Sequence, residues 1–147
     1  MKTTEQLVQE LLDREAIRDL PKRYCHCVWT GDLDGIVSLF TDDGCMIMQT
    51  RKGPQTTAGR EALRKTFARV VDELGPRPYI HNHVIALKDA THASGTCYVE
   101  LRDSKNDMRW LGTGFYNDEY VKVGGQWKFK SRDVTLVRME RQAAQQR

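Results

Sequence analysis

The sequence predicts an α+β domain in which N-terminal helices pack against one face of a curved, mainly antiparallel sheet, and three observations predict it. Apolar residues recur at three- and four-residue steps in the N-terminal half, as helices require. From Tyr79 the period drops to two and stays there to about residue 138, the signature of long strands. With 147 residues the chain fits a single core, and nothing suggests a second domain or an internal repeat. We take residues 1–147 as one domain, with its core at about 4–138 and a polar tail at 139–147.

Residues 4–29 read as a helix on Leu7, Val8, Leu11, Leu12, Ile17, Leu20, Tyr24, Cys27 and Val28. Pro21 removes one amide bond, so a kink or a restart is expected there. Gly31 ends the helix, and Asp32 caps a short one, "LDGIVSLF", closed by the turn residues "TDDG". "CMIMQT" is a strand candidate and "RKGPQ" a polar turn. Thr57 is placed to cap a helix over 59–74 with the apolar stripe Leu63, Phe67, Val70, Val71 and Leu74, and Gly75 stops it. Strands follow at 79–88, 93–103, 108–123 and 126–138, the last two joined by a Gly124–Gly125 hairpin.

Composition narrows the function classes. The net charge of +3 is small and the basic residues are interleaved with acids, which argues against nucleic acid. No window is apolar enough for a bilayer span and none resembles a signal peptide, so the expectation is a cytoplasmic protein without a membrane partner. Cys25, Cys27, Cys45 and Cys97 show no paired CxxC spacing and read as reduced thiols. In "YCHCVW" adjacent helical residues fan around the axis, so no metal site is expected, nor any cofactor.

"REAIRDLPKRYCHCVWTGDLDGIVSLFTDDG" resembles the opening of SnoaL-like domains of the nuclear transport factor 2-like superfamily. "AGREALRKTF" is similar to that family's third helix, and "GTGFYNDEYVKVGGQWKFKSRDVTL" to its last hairpin. The resemblance implies a cone: helices in the concavity of a strongly curved sheet, around a deep, mostly apolar pocket. It also implies a homodimer or higher homo-oligomer through the outer sheet face. The family includes dehydratases, isomerases and proteins with no known catalysis, so function rests on the pocket residues.

The resemblance brings Tyr24 to the position where family dehydratases carry a tyrosine that donates to the substrate oxygen; packing in the core is the competing reading. Their aspartate five residues later is replaced here by Trp29, read as an aromatic wall. His81 matches the family's strand histidine and is the candidate general base. Alternation places His83 on the same face as His81, lining the pocket, although a bulge would reverse that parity. On the last strand Trp127, Phe129, Ser131, Asp133 and Thr135 share a face; Asp133 is then the candidate partner of His81, and Arg132 points away. Val28, Phe67, Leu111, Phe115 and Trp127 complete the expected lining. The leading expectation is a cofactor-independent dehydratase or isomerase acting by proton transfer on an apolar cyclic substrate. The alternatives are a ligand-binding protein without catalysis and an accessory module such as a small subunit of an aromatic-ring oxygenase.

Overall fold

A computed structural model of the protein describes residues 1–140. The order is α1 (Thr4–Thr30), α2 (Leu33–Ser38), β1 (Phe40–Thr50), β2 (Gly53–Ala58), α3 (Arg60–Arg69), a π-helical turn (Val70–Leu74), β3 (Pro76–Leu87), β4 (His92–Asp103), β5 (Arg109–Val123) and β6 (Gln126–Met139). The strands form one sheet in the order β2-β1-β6-β5-β4-β3, antiparallel except for the parallel β1–β6 pair. The helices pack on its inner face, where Ile17, Leu20, Tyr24 and Val28 of α1 meet Phe40, Val99, Tyr116, Phe129 and Val134 in one core. This is the α+β arrangement that the change of period predicts.

α1 begins with a capping box between Thr3 and Gln6 and ends on Gly31 at φ 70°, a left-handed conformation that suits glycine. Helix continues on both sides of Pro21, so no restart occurs there. The expected Asp32 cap is present, its carboxylate accepting from the Gly35 amide at 2.8 Å.

Other local expectations fail. "TDDG" belongs to β1, drawn into the sheet across a register shift between Phe40 and Cys45. "RKGPQ" is mostly strand: only Arg51 and Lys52 turn, and β2 pairs back on β1. Thr57 therefore lies opposite Met46 in that hairpin, and Gly59 precedes α3 with no side-chain cap. Met139 of the expected tail is the last residue of β6, and the Glu140 amide beyond it donates to the Leu111 carbonyl; the rest of the expected tail, 141–147, lies outside the described residues.

Two of the sheet's bulges set the facing of the candidate site residues on β3 and β6. In β3, Ile80 pairs with Val99 and His83 with Cys97, so His81 and Asn82 together oppose the single residue Tyr98. In β6, Phe129 pairs with Tyr120 and Ser131 with Glu119, leaving Lys130 as the extra residue. Each insertion reverses the side-chain parity of everything beyond it. His81 consequently points outward while His83 points in, and Arg132 points in while Asp133 points outward.

Candidate functional site

Between α1, α3, the π-helical turn and strands β1 to β6 lies a cavity of about 300 Å³. Val28, Phe67, Val70, Leu74, Met46, Met48, Pro76, Pro78, Leu101, Val134 and Leu136 supply apolar wall, and Gln55, Thr57, Thr66 and Arg69 supply polar groups. The size is at the small end of the ~300–1,000 Å³ common for ligand pockets. Tyr24 and Tyr116 complete the wall from the core side. Their rings meet edge to face at 6.0 Å, and Tyr24 packs the same way on Phe67 at 5.8 Å.

Behind the two tyrosines is a buried polar chain. The Arg132 guanidinium lies 3.8 Å from the ring centre of Tyr116, 4.5 Å from Tyr24 and 4.4 Å from Phe129. Its Nε and Nη2 donate to the two oxygens of Asp118 at 2.8 and 3.1 Å, with both side chains essentially inaccessible. Tyr120 donates its hydroxyl proton to Asp118 Oδ2 at 2.9 Å. That hydroxyl has one proton to give, so toward His83 Nε2, also at 2.9 Å, it accepts; neutral His83 carries its proton on Nε2.

Burial decides the protonation of this region. It pushes the Tyr24 hydroxyl up to about 12 and Tyr116 well above the ordinary phenol value, with Arg132 pulling both partly back. It raises Cys25 to about 12 and Cys97 to about 11, keeping both as thiols at neutral pH. Burial works against the charge on Arg132, but the Asp118 carboxylate outweighs it and the guanidinium stays protonated. For His83 burial dominates and lowers its proton affinity, aided by Arg132, Arg18 and Lys22 and opposed by Asp118.

Of the expected site residues, Tyr24, Val28 and Phe67 line the cavity. His81 does not: it is exposed on the outer face, where its Nε2 lies 3.3 Å from Glu100. Asp133 is also on the outer face, accepting from Gln49 Nε2 at 3.0 Å. The expected His81–Asp133 pair is therefore not assembled, and neither converges with Tyr24; the β3 and β6 bulges are the cause. His83 faces inward but is absent from the cavity wall, being engaged by Tyr120. Phe115 packs on Tyr98 on the outer face, with ring centres 6.1 Å apart. Leu111 is buried away from the cavity. Trp127 reaches the other side of α1, donating to Asp13 at 2.9 Å. Trp29 is partly exposed and pins α1 to β3 by donating to the Pro78 carbonyl at 2.8 Å, its ring against Tyr79.

The sequence reading missed Tyr116, Asp118, Tyr120 and Arg132. A signal existed: Tyr116, Asp118 and Tyr120 alternate on one face of β5, and an acid between two tyrosines on a core-facing strand demands a buried cation. No imidazole or carboxylate lines the cavity among the described residues, and Arg69 is its one charged side chain. The wall is thus mostly apolar, it includes hydroxyl-bearing side chains, and among the described residues it holds no group that accepts a proton near neutrality.

The family model of the SnoaL-like domain matches residues 9–133. No curated protein matches the chain. Among solved structures, Rv3472 of Mycobacterium tuberculosis, described as of unknown function, superposes with a TM-score of 0.80 at 24% identity, covering 90% of this chain and 76% of that one. A Nostoc punctiforme protein of unknown function with a cystatin-like fold gives 0.74 at 23% identity, covering 85% and 91%. The hexachlorocyclohexane dehydrochlorinase LinA-type3 of Novosphingobium barchaimii gives 0.74 at 19%, covering 90% and 92%. At such identities the likeness is one of fold, while the family match spans most of the sequence: this chain belongs to the SnoaL-like domain family.

Proposed function

We propose that this protein takes up a small, apolar, cyclic molecule in the cavity beside α1 and holds an acceptor oxygen of it with the Tyr24 and Tyr116 hydroxyls. The observation that carries this reading is the cavity wall, mostly apolar and backed at the tyrosines by a buried guanidinium. Burial raises both phenols, Arg132 offsets part of that rise, and each hydroxyl keeps its proton and can donate it. Binding without proton transfer is favoured over dehydration or isomerisation, because among the described residues the wall offers no imidazole or carboxylate as base.

A catalytic reading keeps one observation in its favour: charge-backed phenols suit an oxygen that becomes negative during elimination or enolisation. A structural neighbour named as a dehydrochlorinase is consistent with that chemistry in this fold. Such a reaction here would need a base from the ligand itself or from water. We also take the outer sheet face, with exposed Val84, Tyr98 and Val137, as the contact to a second copy; sedimentation of wild type against Val84→Asp tests it, a dimer lost in the variant being the expected result.

Methionine methyl spectra test the pocket. Met46 and Met48 line the cavity, whereas Met108 and Met139 do not. Titration with β-naphthylmethanol, a neutral cyclic alcohol, is expected to shift the Met46 and Met48 methyls selectively. Shifts confined to other methyls, or none at all, would remove the reading.

A further inference from the structure

We infer that the ligand of this cavity is an amphipathic acid whose carboxylate sits at the rim on Arg69. The inference rests on the pocket reading above and adds the charge of the molecule. Arg69 closes α3, is exposed, and contributes to the cavity wall. Its neighbours on the same helix are matched: Arg60 pairs with Asp42 at 2.9 Å, and Arg64 pairs with Asp34. Arg69 makes neither an ion pair nor a side-chain hydrogen bond among the described residues, and no acid lines the cavity to neutralise it. Among the described residues the cavity wall therefore carries one positive charge and no acid.

The remaining wall fixes the rest of the ligand. Gln55 and Thr66 make the rim polar but uncharged. Apart from the Thr57 hydroxyl, the rest of the lining is apolar side chains together with Tyr24 and Tyr116. A molecule that satisfies both ends has an apolar body, an acceptor oxygen at its inner end and one anionic group at its outer end. One guanidinium presents a planar fork that matches a carboxylate with two parallel hydrogen bonds, whereas a phosphate dianion calls for more than one cation. Directly after Arg69 the helix widens into the π turn, closed by the Gly75 amide on the Val70 carbonyl at 3.0 Å. Both ends of that turn, Val70 and Leu74, face the cavity, and π turns recur where helices are bent to serve a site.

The test compares two probes of one shape, β-naphthoate and β-naphthylmethanol, titrated into the full chain at neutral pH with the Met46 and Met48 methyls as readout. Wild type is expected to bind the carboxylate about fivefold more tightly than the alcohol, the size of one partly exposed charge pair. Arg69→Gln should erase that preference without changing the affinity for the alcohol, Arg69→Lys should keep part of it, and added salt should weaken only the carboxylate. Equal binding of the two probes by wild type would overturn the inference while leaving the pocket reading in place. A preference that survives Arg69→Gln would do the same, assigning Arg69 to the helix terminus alone. If neither probe moves the Met46 and Met48 methyls, the pocket reading and the inference fall together.

Discussion

Arg132 and Asp118, from adjacent strands, form a two-pronged ion pair at 2.8 and 3.1 Å in the centre of the domain, with 1% and 0% of the two side chains exposed. Around it stand the two tyrosines of the cavity wall on one side and the Tyr120–His83 chain on the other. Breaking a buried pair from one side leaves an uncompensated charge and costs about 3–5 kcal/mol. Asp118→Asn should therefore lower the urea midpoint severely. The apolar double variant Asp118→Leu with Arg132→Met should recover much of the loss in the same measurement, because it removes both charges.

His83 gives the fold a pH dependence whose sign follows from its surroundings. Burial lowers its proton affinity below the ordinary 6.5, so across the window just below 6.5 the unfolded chain binds more protons than the folded one. Stability should rise with pH through that window and level off above it. Imidazole resonances should place the His83 midpoint below 6.5 and report the Nε2–H tautomer. His83→Gln should flatten this part of the stability profile.

Asp13 clasps α1 to the β5–β6 hairpin. Its Oδ1 accepts from Lys122 Nζ and Trp127 Nε1, both at 2.9 Å, and from Gln9 at 3.2 Å. Burial raises its proton affinity, but these donors together outweigh that and hold the carboxyl below its ordinary 3.8. A depressed carboxyl contributes stability that is present above the unfolded value and is lost as pH falls through the folded one. Asp13→Ala should cost about 1–2 kcal/mol at neutral pH by stranding the Trp127 donor. It should also blunt acid unfolding below pH 3.8, read by tryptophan fluorescence.

Two substitutions separate the cavity from the outer face. Tyr24→Phe removes a hydroxyl from the cavity wall and should weaken binding of β-naphthylmethanol by about 1 kcal/mol with the fold intact. His81→Ala removes an exposed side chain whose partner is Glu100, and should leave binding unchanged in the same titration.

The fold was legible in the sequence because period is robust: the helical steps of α1 and α3 and the period of two from Tyr79 onward survive small irregularities. Facing is not robust. A single extra residue at His81–Asn82 and another at Lys130 break strict alternation, and those two insertions put His81, Asp133 and Arg132 on the faces opposite to those expected while His83 stays inward. No glycine marks either bulge. β2 was hidden for a related reason, since "GPQTTA" reads as a turn and becomes a strand only by pairing with β1. Tyr24, Val28 and Phe67 were legible as cavity residues because helix positions are fixed by spacing that no bulge disturbs.

The central claim is that the ligand lies against Tyr24 and Tyr116 in the cavity beside α1, away from His81. Intermolecular Overhauser contacts from bound β-naphthylmethanol measure this directly. The account predicts contacts to the Met46 and Met48 methyls and the Tyr24 and Tyr116 rings, with none to the His81 imidazole. Contacts to His81 without the two tyrosines would contradict it.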